Sequence, residues 1–159
     1  MAKIIIDKKY CGPTESGNGG YTAGLFAKQL DFSAEITLRV PPPLDTPMSV
    51  TSEETTAQLL DGDTIVATAK KKEAFTLDIP SAPDFETAIG AAQNYQGLEG
   101  APFTRCYVCG VDRAVGDGLQ IFAGPVGVQQ VAAPWVPALD LADEGNKVAT
   151  EYIWAALDC

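Results

Sequence analysis

One absence limits the chemistry open to this chain: its 159 residues include no histidine. Ser-His-Asp and Cys-His catalysis are excluded, as are histidine metal sites. Proton transfer has to use carboxylates, tyrosine, lysine, cysteine or water. The clearest setting for such chemistry is the turn Gly17-Asn18-Gly19-Gly20, followed by Tyr21. It opens an apolar helical pattern, and a helix N-terminus presents unpaired N–H groups and the positive end of a dipole. Both suit a developing oxyanion. Glycines let a carbonyl approach the backbone, so the N–H groups of Gly19, Gly20 and Tyr21 are the candidate donors. The competing reading is a plain tight turn in which glycine supplies positive φ. Glu15, in the loop just before the glycines, is the nearby carboxylate that could activate a water. Asn18 either holds a water or caps the helix, and capping is the commoner role of Asn there.

The four cysteines are Cys11, Cys106, Cys109 and Cys159. Cys106 and Cys109 have CxxC spacing, but zinc would need two more ligands, and the other cysteines lie far off without paired spacing. A thioredoxin-like motif would stand at a helix start, whereas this one precedes a strand pattern. The thiols therefore read as structural and, with no secretory signal, as reduced in a cytoplasm. No metal and no cofactor is called for. A net charge of −10, from 21 acidic and 11 basic side chains, repels polyphosphate backbones and argues against nucleic acid. Lys70-Lys71-Lys72 is the densest cation run for a phosphate-bearing ligand, and it reads as a solvated strand end. No apolar run approaches the ~20 residues of a membrane helix, so no membrane partner is expected.

These candidates need elements to position them. Residues 3–9 read as a strand and residues 10–20 as a loop dense in turn formers. Residues 21–30 read as a helix, with Ala23, Phe26, Ala27 and Leu30 at i, i+3, i+4 and i+7. Gly24 beside that stripe would admit a close backbone. Residues 33–40 alternate as a strand, with Ala34, Ile36, Leu38 and Val40 on one face. Pro41-Pro42-Pro43 breaks it, because three consecutive residues lack a ladder N–H. Strands at 48–52, 55–60 and 64–72 follow, the last two joined by the hairpin signal Asp61-Gly62-Asp63. Residues 75–80 are expected to add an edge piece. One apolar helix followed by consecutive antiparallel strands implies an α+β domain whose sheet wraps the helix. Residues 81–102 read as a linker carrying a helix over 84–95, with Phe85, Ala88, Ile89 and Ala92 on one face. Strand patterns recur at 118–123 and 128–133, and an apolar helix begins at residue 151.

Three stretches together resemble the thioesterase-like hot-dog superfamily. Gly17-Asn18-Gly19-Gly20-Tyr21-Thr22-Ala23-Gly24 looks like its loop-to-helix transition. Arg39 to Val50, with its proline break, and Leu60 to Ala67, with its hairpin, are similar to its strand pattern. Pro102 to Gly110, with Gly116-Asp117-Gly118-Leu119 after it, looks like the segment that introduces many acyl-thioesterase-like domains. The resemblance divides the chain into a first hot-dog repeat over 1–80, a linker over 81–102 and the beginning of a second repeat over 103–159. That is the arrangement of tandem, double-hot-dog acyl-CoA thioesterase-like proteins. The second helix stops at Cys159, which fits a truncated chain, a missing C-terminal part or completion by a partner subunit.

The resemblance implies a hydrolase acting on acyl-CoA or another acyl thioester, through carboxylate-activated water and an oxyanion hole at the helix N-terminus. Asp158 resembles in placement the helix aspartate of the double-hot-dog enzymes, which makes it a catalytic candidate beside Glu15 and Asn18. A solvated charge is its alternative. Trp154, with Gly19, Gly20 and Tyr21, is expected to bind substrate. Trp135 and Tyr152 could line an acyl channel, although aromatic residues are more often core. A non-catalytic acyl- or acyl-CoA-binding protein is the other reading, since fold alone does not fix activity. Pairing through sheet edges or the second repeat would make a homo-oligomer.

Overall fold

The buried helix anticipated above starts two residues early, because its cap lies inside the glycine turn. In the computed structural model, which describes residues 2–158, helix α1 spans Gly19–Ala27 and the Asn18 side chain accepts from the Tyr21 N–H. It ends before Leu30, and five strands form one sheet beside it in an α+β arrangement. These are β1 (Lys3–Ile4), β2 (Ala34–Leu38), β3 (Met48–Ser52), β4 (Thr56–Asp61) and β5 (Thr64–Lys71), in an antiparallel sheet ordered β1-β3-β4-β5-β2. Only Lys3–Ile4 of the strand expected over 3–9 pairs, since a 3-10 turn at Lys8–Tyr10 carries the chain away toward α1.

Alternation sorts the sheet into two faces. The registers Val50↔Leu59, Leu59↔Ala67 and Ile36↔Ala69 put apolar side chains on one side. There they join Tyr21 and Phe26 of α1 in one core. Burying such side chains contributes roughly 1.5–3 kcal/mol each for the larger ones. The other face carries Thr37, Thr51, Gln58 and Thr68 opposite one another, with Lys70 between Glu35 and Thr56. Gly62, at φ 55°, makes the β4–β5 turn that the Asp-Gly signal anticipated.

Beyond β5 the expectations are met less closely. Residues 75–80 form no strand, and Phe75, Leu77 and Ile79 are exposed. Helix α2 is Phe85–Ala92, capped by Asp84, whose side chain accepts from the Thr87 N–H. Of the expected face Ala88 is buried while Phe85 and Ile89 are exposed; Ala88 and Ala91 form the buried face. That face packs on a small antiparallel hairpin, β6 (Gly124–Gly127) and β7 (Gln130–Ala132).

The strand expected at 118–123 is instead irregular chain. It is tied to the Cys106–Val108 segment, where the Leu119 N–H donates to the Tyr107 carbonyl and the Ile121 N–H to that of Val108. The Tyr107 N–H in turn donates to the Cys11 carbonyl at 2.7 Å, which carries this segment into the same core as the sheet. Helix α3 (Thr150–Ala156) then packs along α1. Among the described residues no helix is long and apolar enough to cross a membrane.

Candidate functional site

Two glycines one helical turn apart decide how α3 meets α1. A Cβ on Gly24 would stand 2.6 Å from the Glu151 Cα, and one on Gly20 would stand 2.6 Å from the Asp158 Cβ and strike the Trp154 carbonyl. With hydrogen in place of a side chain at i and i+4, the helices can pack at backbone distance. They run antiparallel, since Gly20 faces the end of α3 and Gly24 its beginning. Buried Glu151 pairs with Lys28 at the far end of α1, Nζ to Oε1 3.1 Å. The near end brings Asp158 to the positive terminus of α1.

There the Asp158 Oδ2 accepts from the Gly20 N–H at 3.0 Å and from the Asn18 Nδ2 at 3.5 Å. Asn18 is buried and holds three partners together. Its Oδ1 accepts from the Tyr21 N–H at 2.8 Å, and its Nδ2 faces both Asp158 and the Cys106 Sγ, the latter at 3.9 Å. Of the three proposed oxyanion donors, the Tyr21 N–H is therefore committed to the cap and is not free. The Gly20 N–H is filled by a carboxylate. The Gly19 N–H meets no acceptor among the described residues.

An open apolar groove of ≈ 440 Å³ begins at this point. Its walls are Ile36 and Leu38 of β2 on one side and Ile153, Trp154 and Leu157 on the other; Gly19, Gly20 and Ala23 form its floor, and Asp158 is its one ionisable side chain. The volume is in the range of small-molecule sites, and one charged group among apolar walls is the usual pattern of such sites. A smaller cleft of ≈ 340 Å³ shares Gly19 and Leu38 with the groove and continues toward the proline break at Pro41 and Pro42.

The structure thus gathers Asp158, Asn18, Gly19, Gly20 and Trp154 at one place. Glu15 stays exposed on the loop and does not line the groove, so the structure does not bring it to the glycines. Tyr21 turns away into a tyrosine cluster. It stacks on Tyr10, centroids 4.1 Å apart, with Tyr107 and Tyr152 around them. Burial raises the pKa of Tyr21, Tyr107 and Tyr152 above the ordinary phenol value, and the neighbouring phenols add to it. Tyr152 thus belongs to the core packing. Trp135 lines a separate cleft of ≈ 430 Å³ that shares only Ile153 and Leu157 with the main groove.

Sequence reasoning missed Cys106 as a neighbour of Asn18, along with the wall residues Ile36, Leu38 and Ile153. Alternation marked Ile36 and Leu38 as inward-facing, but nothing local indicated that α3 would face them across a gap. The CxxC segment is a turn in which Cys106 is buried and Cys109 half-buried. No protein-family model, curated protein or solved structure matches the chain.

Proposed function

We propose that this chain is a hot-dog protein that hydrolyses acyl thioesters, with Asp158 as the general base at the N-terminus of α1. The strand–helix–four-strand order of residues 3–71 supports the fold reading. The observation that carries the activity is the Asp158 carboxylate seated on the Gly20 N–H beside an apolar groove. The acyl chain would lie between β2 and α3, its carbonyl oxygen replacing the carboxylate on the Gly20 N–H, with the Gly19 N–H as second donor. Asp158, exposed at the end of α3, swings aside and takes a proton from a water. The hydroxide adds to the carbonyl carbon, and the oxyanion is held by the N–H groups and the helix dipole. Collapse breaks the C–S bond, and the Asp158 proton passes to the leaving thiolate. Asn18 positions the carboxylate without touching substrate.

One observation favours the second reading, a non-catalytic acyl-binding protein: the Gly20 donor is already filled by Asp158. Assay of purified protein against short, medium and long acyl-CoAs separates the two. Hydrolysis that falls by about 10²-fold or more in Asp158→Asn, within the usual range for loss of a general base, supports the enzyme. Glu15→Gln is expected to leave the rate unchanged. Absence of turnover on every thioester, with an acyl group co-purifying, sinks the enzyme and leaves the binder. In both readings β2, an edge strand that borders the groove, pairs with a second copy and closes the groove's open side. Light scattering then gives a mass near twice 16.7 kDa.

A further inference from the structure

A chain of net charge −10 brings four of its 11 basic residues to one cavity of ≈ 370 Å³. Lys8 and Lys9 come from the 3-10 turn before α1, and Arg105 and Arg113 from the loop that docks beside it. Two carboxylates, Asp7 and Asp117, also line the cavity, and each already has a partner. Asp7 Oδ1 accepts from the Lys9 N–H at 2.7 Å, and Asp117 Oδ2 pairs with the Arg113 guanidinium at 3.2 Å. Among the described residues, the side chains of Lys8, Lys9 and Arg105 form no ion pair.

Arg113 is the floor of this arrangement. Its side chain is 3% exposed, and its Nε donates to the Arg105 carbonyl at 2.7 Å while a terminal nitrogen donates to the Lys9 carbonyl at 2.6 Å. It thereby fixes the backbones that carry Lys9 and Arg105, and its own charge is paired with the half-exposed carboxylate of Asp117. The lining holds four cations against two carboxylates. A ligand group with two negative charges would neutralise the excess, and the Thr14 hydroxyl is at hand as a further polar contact.

We infer that this cavity binds a phosphomonoester or diphosphate group of a small molecule. Arg105 suits two phosphate oxygens through its planar fork, and Lys8 and Lys9 act as point charges beside it. The phosphate could belong to a free phosphate compound or to the carrier half of a thioester. The site stands apart from the proposed hydrolysis, because binding is read without turnover.

The test is calorimetric titration at low ionic strength with inorganic pyrophosphate and, separately, with desulfo-coenzyme A. Pyrophosphate is expected to bind, with affinity lowered about tenfold or more in Lys8→Glu and in Arg105→Glu, as loss of a favourable charge at short range requires. Both side chains are exposed, so circular dichroism of these variants should match that of the parent. Lys70→Glu, remote from the cavity, should bind as the parent does. Tighter binding of desulfo-coenzyme A with the same sensitivity assigns the phosphate to a carrier, and equal or weaker binding assigns it to a free compound. No heat at millimolar pyrophosphate overturns the site. So does a loss in Lys70→Glu equal to that in Arg105→Glu, which would reflect net charge alone.

Discussion

The α1–α3 seam and the α2–β6 corner use the same device with different consequences. In each, glycine lets one element press on another's backbone: Gly20 and Gly24 against α3, Gly124 against the Ala91 carbonyl of α2. The seam lies in the main core, with Tyr21, Phe26 and Ala155 buried around it and with Asn18 and Glu151 buried and partnered. The corner buries little beyond Ala88 and Ala91, and it leaves Phe85 52% and Val128 93% exposed. Close approach alone therefore does not make a strong contact; the apolar area closed off around it does. The seam should open only with the whole fold, the corner at a much lower free energy.

Substitution at the seam should have the largest effect. Gly24→Leu puts a side chain where the Glu151 backbone lies, and is expected to cost at least about 3 kcal/mol and about 10 °C in thermal melting. A melt within 2–3 °C of the parent would show that α3 is not held as described.

Asn18→Ala removes the cap of α1 and the donor that faces Asp158. Loss of about 1–2 kcal/mol in urea unfolding is the expected result, together with slower turnover if the proposed thioester hydrolysis holds. Loss of stability with unchanged turnover would make Asn18 a cap only.

Raising the pH tests the tyrosines that close the seam. Their folded pKa values lie above the ordinary 10.0, so their contribution is fully present below pH 10 and is lost as the pH rises toward the folded values. Melting temperature should be flat up to pH 10 and fall beyond it. Tyr10→Phe, which removes a phenol that raises all three, should shallow the fall.

The smallest global effect belongs to the corner. Gly124→Ala should shift the melt by no more than about 2 °C, while amide protection of residues 86–92 is lost. A shift as large as that of Gly24→Leu would erase the contrast between the two contacts.

Legibility followed local order. Period-2 alternation and the Asp61-Gly62 turn located β3, β4 and β5 closely, because neighbours in sequence are neighbours in the ladder. The helix over 84–95 was found, but of its expected buried face Ala88 is buried while Phe85 and Ile89 are exposed. Phe85 and Ile89 are the larger apolar residues, yet only alanines fit against the backbone of β6. The strand expected at 118–123 failed because those residues bond to the Cys106–Val108 turn and not to a neighbouring strand. For the site, Asn18, Gly19 and Gly20 were read from the turn itself. Asp158 was indicated only by a resemblance, and Glu15, near in sequence, is exposed and does not line the groove.

The sequence by itself determined that any catalysis here would use no histidine, that a buried helix follows the glycine turn, and that antiparallel strands come after it. Composition, periodicity and turn chemistry are properties of short stretches, so they can be read along the chain. Only the tertiary structure decided which carboxylate reaches the glycine turn and which cations gather. Asp158 stands 138 residues from Gly20 in sequence, and Lys9 and Arg113 are 104 apart. Such contacts form when α3 closes on α1 and the Arg113 loop docks, and no spacing along the chain encodes them. The glycines that permit the close contact were visible from the start; what they would admit was not.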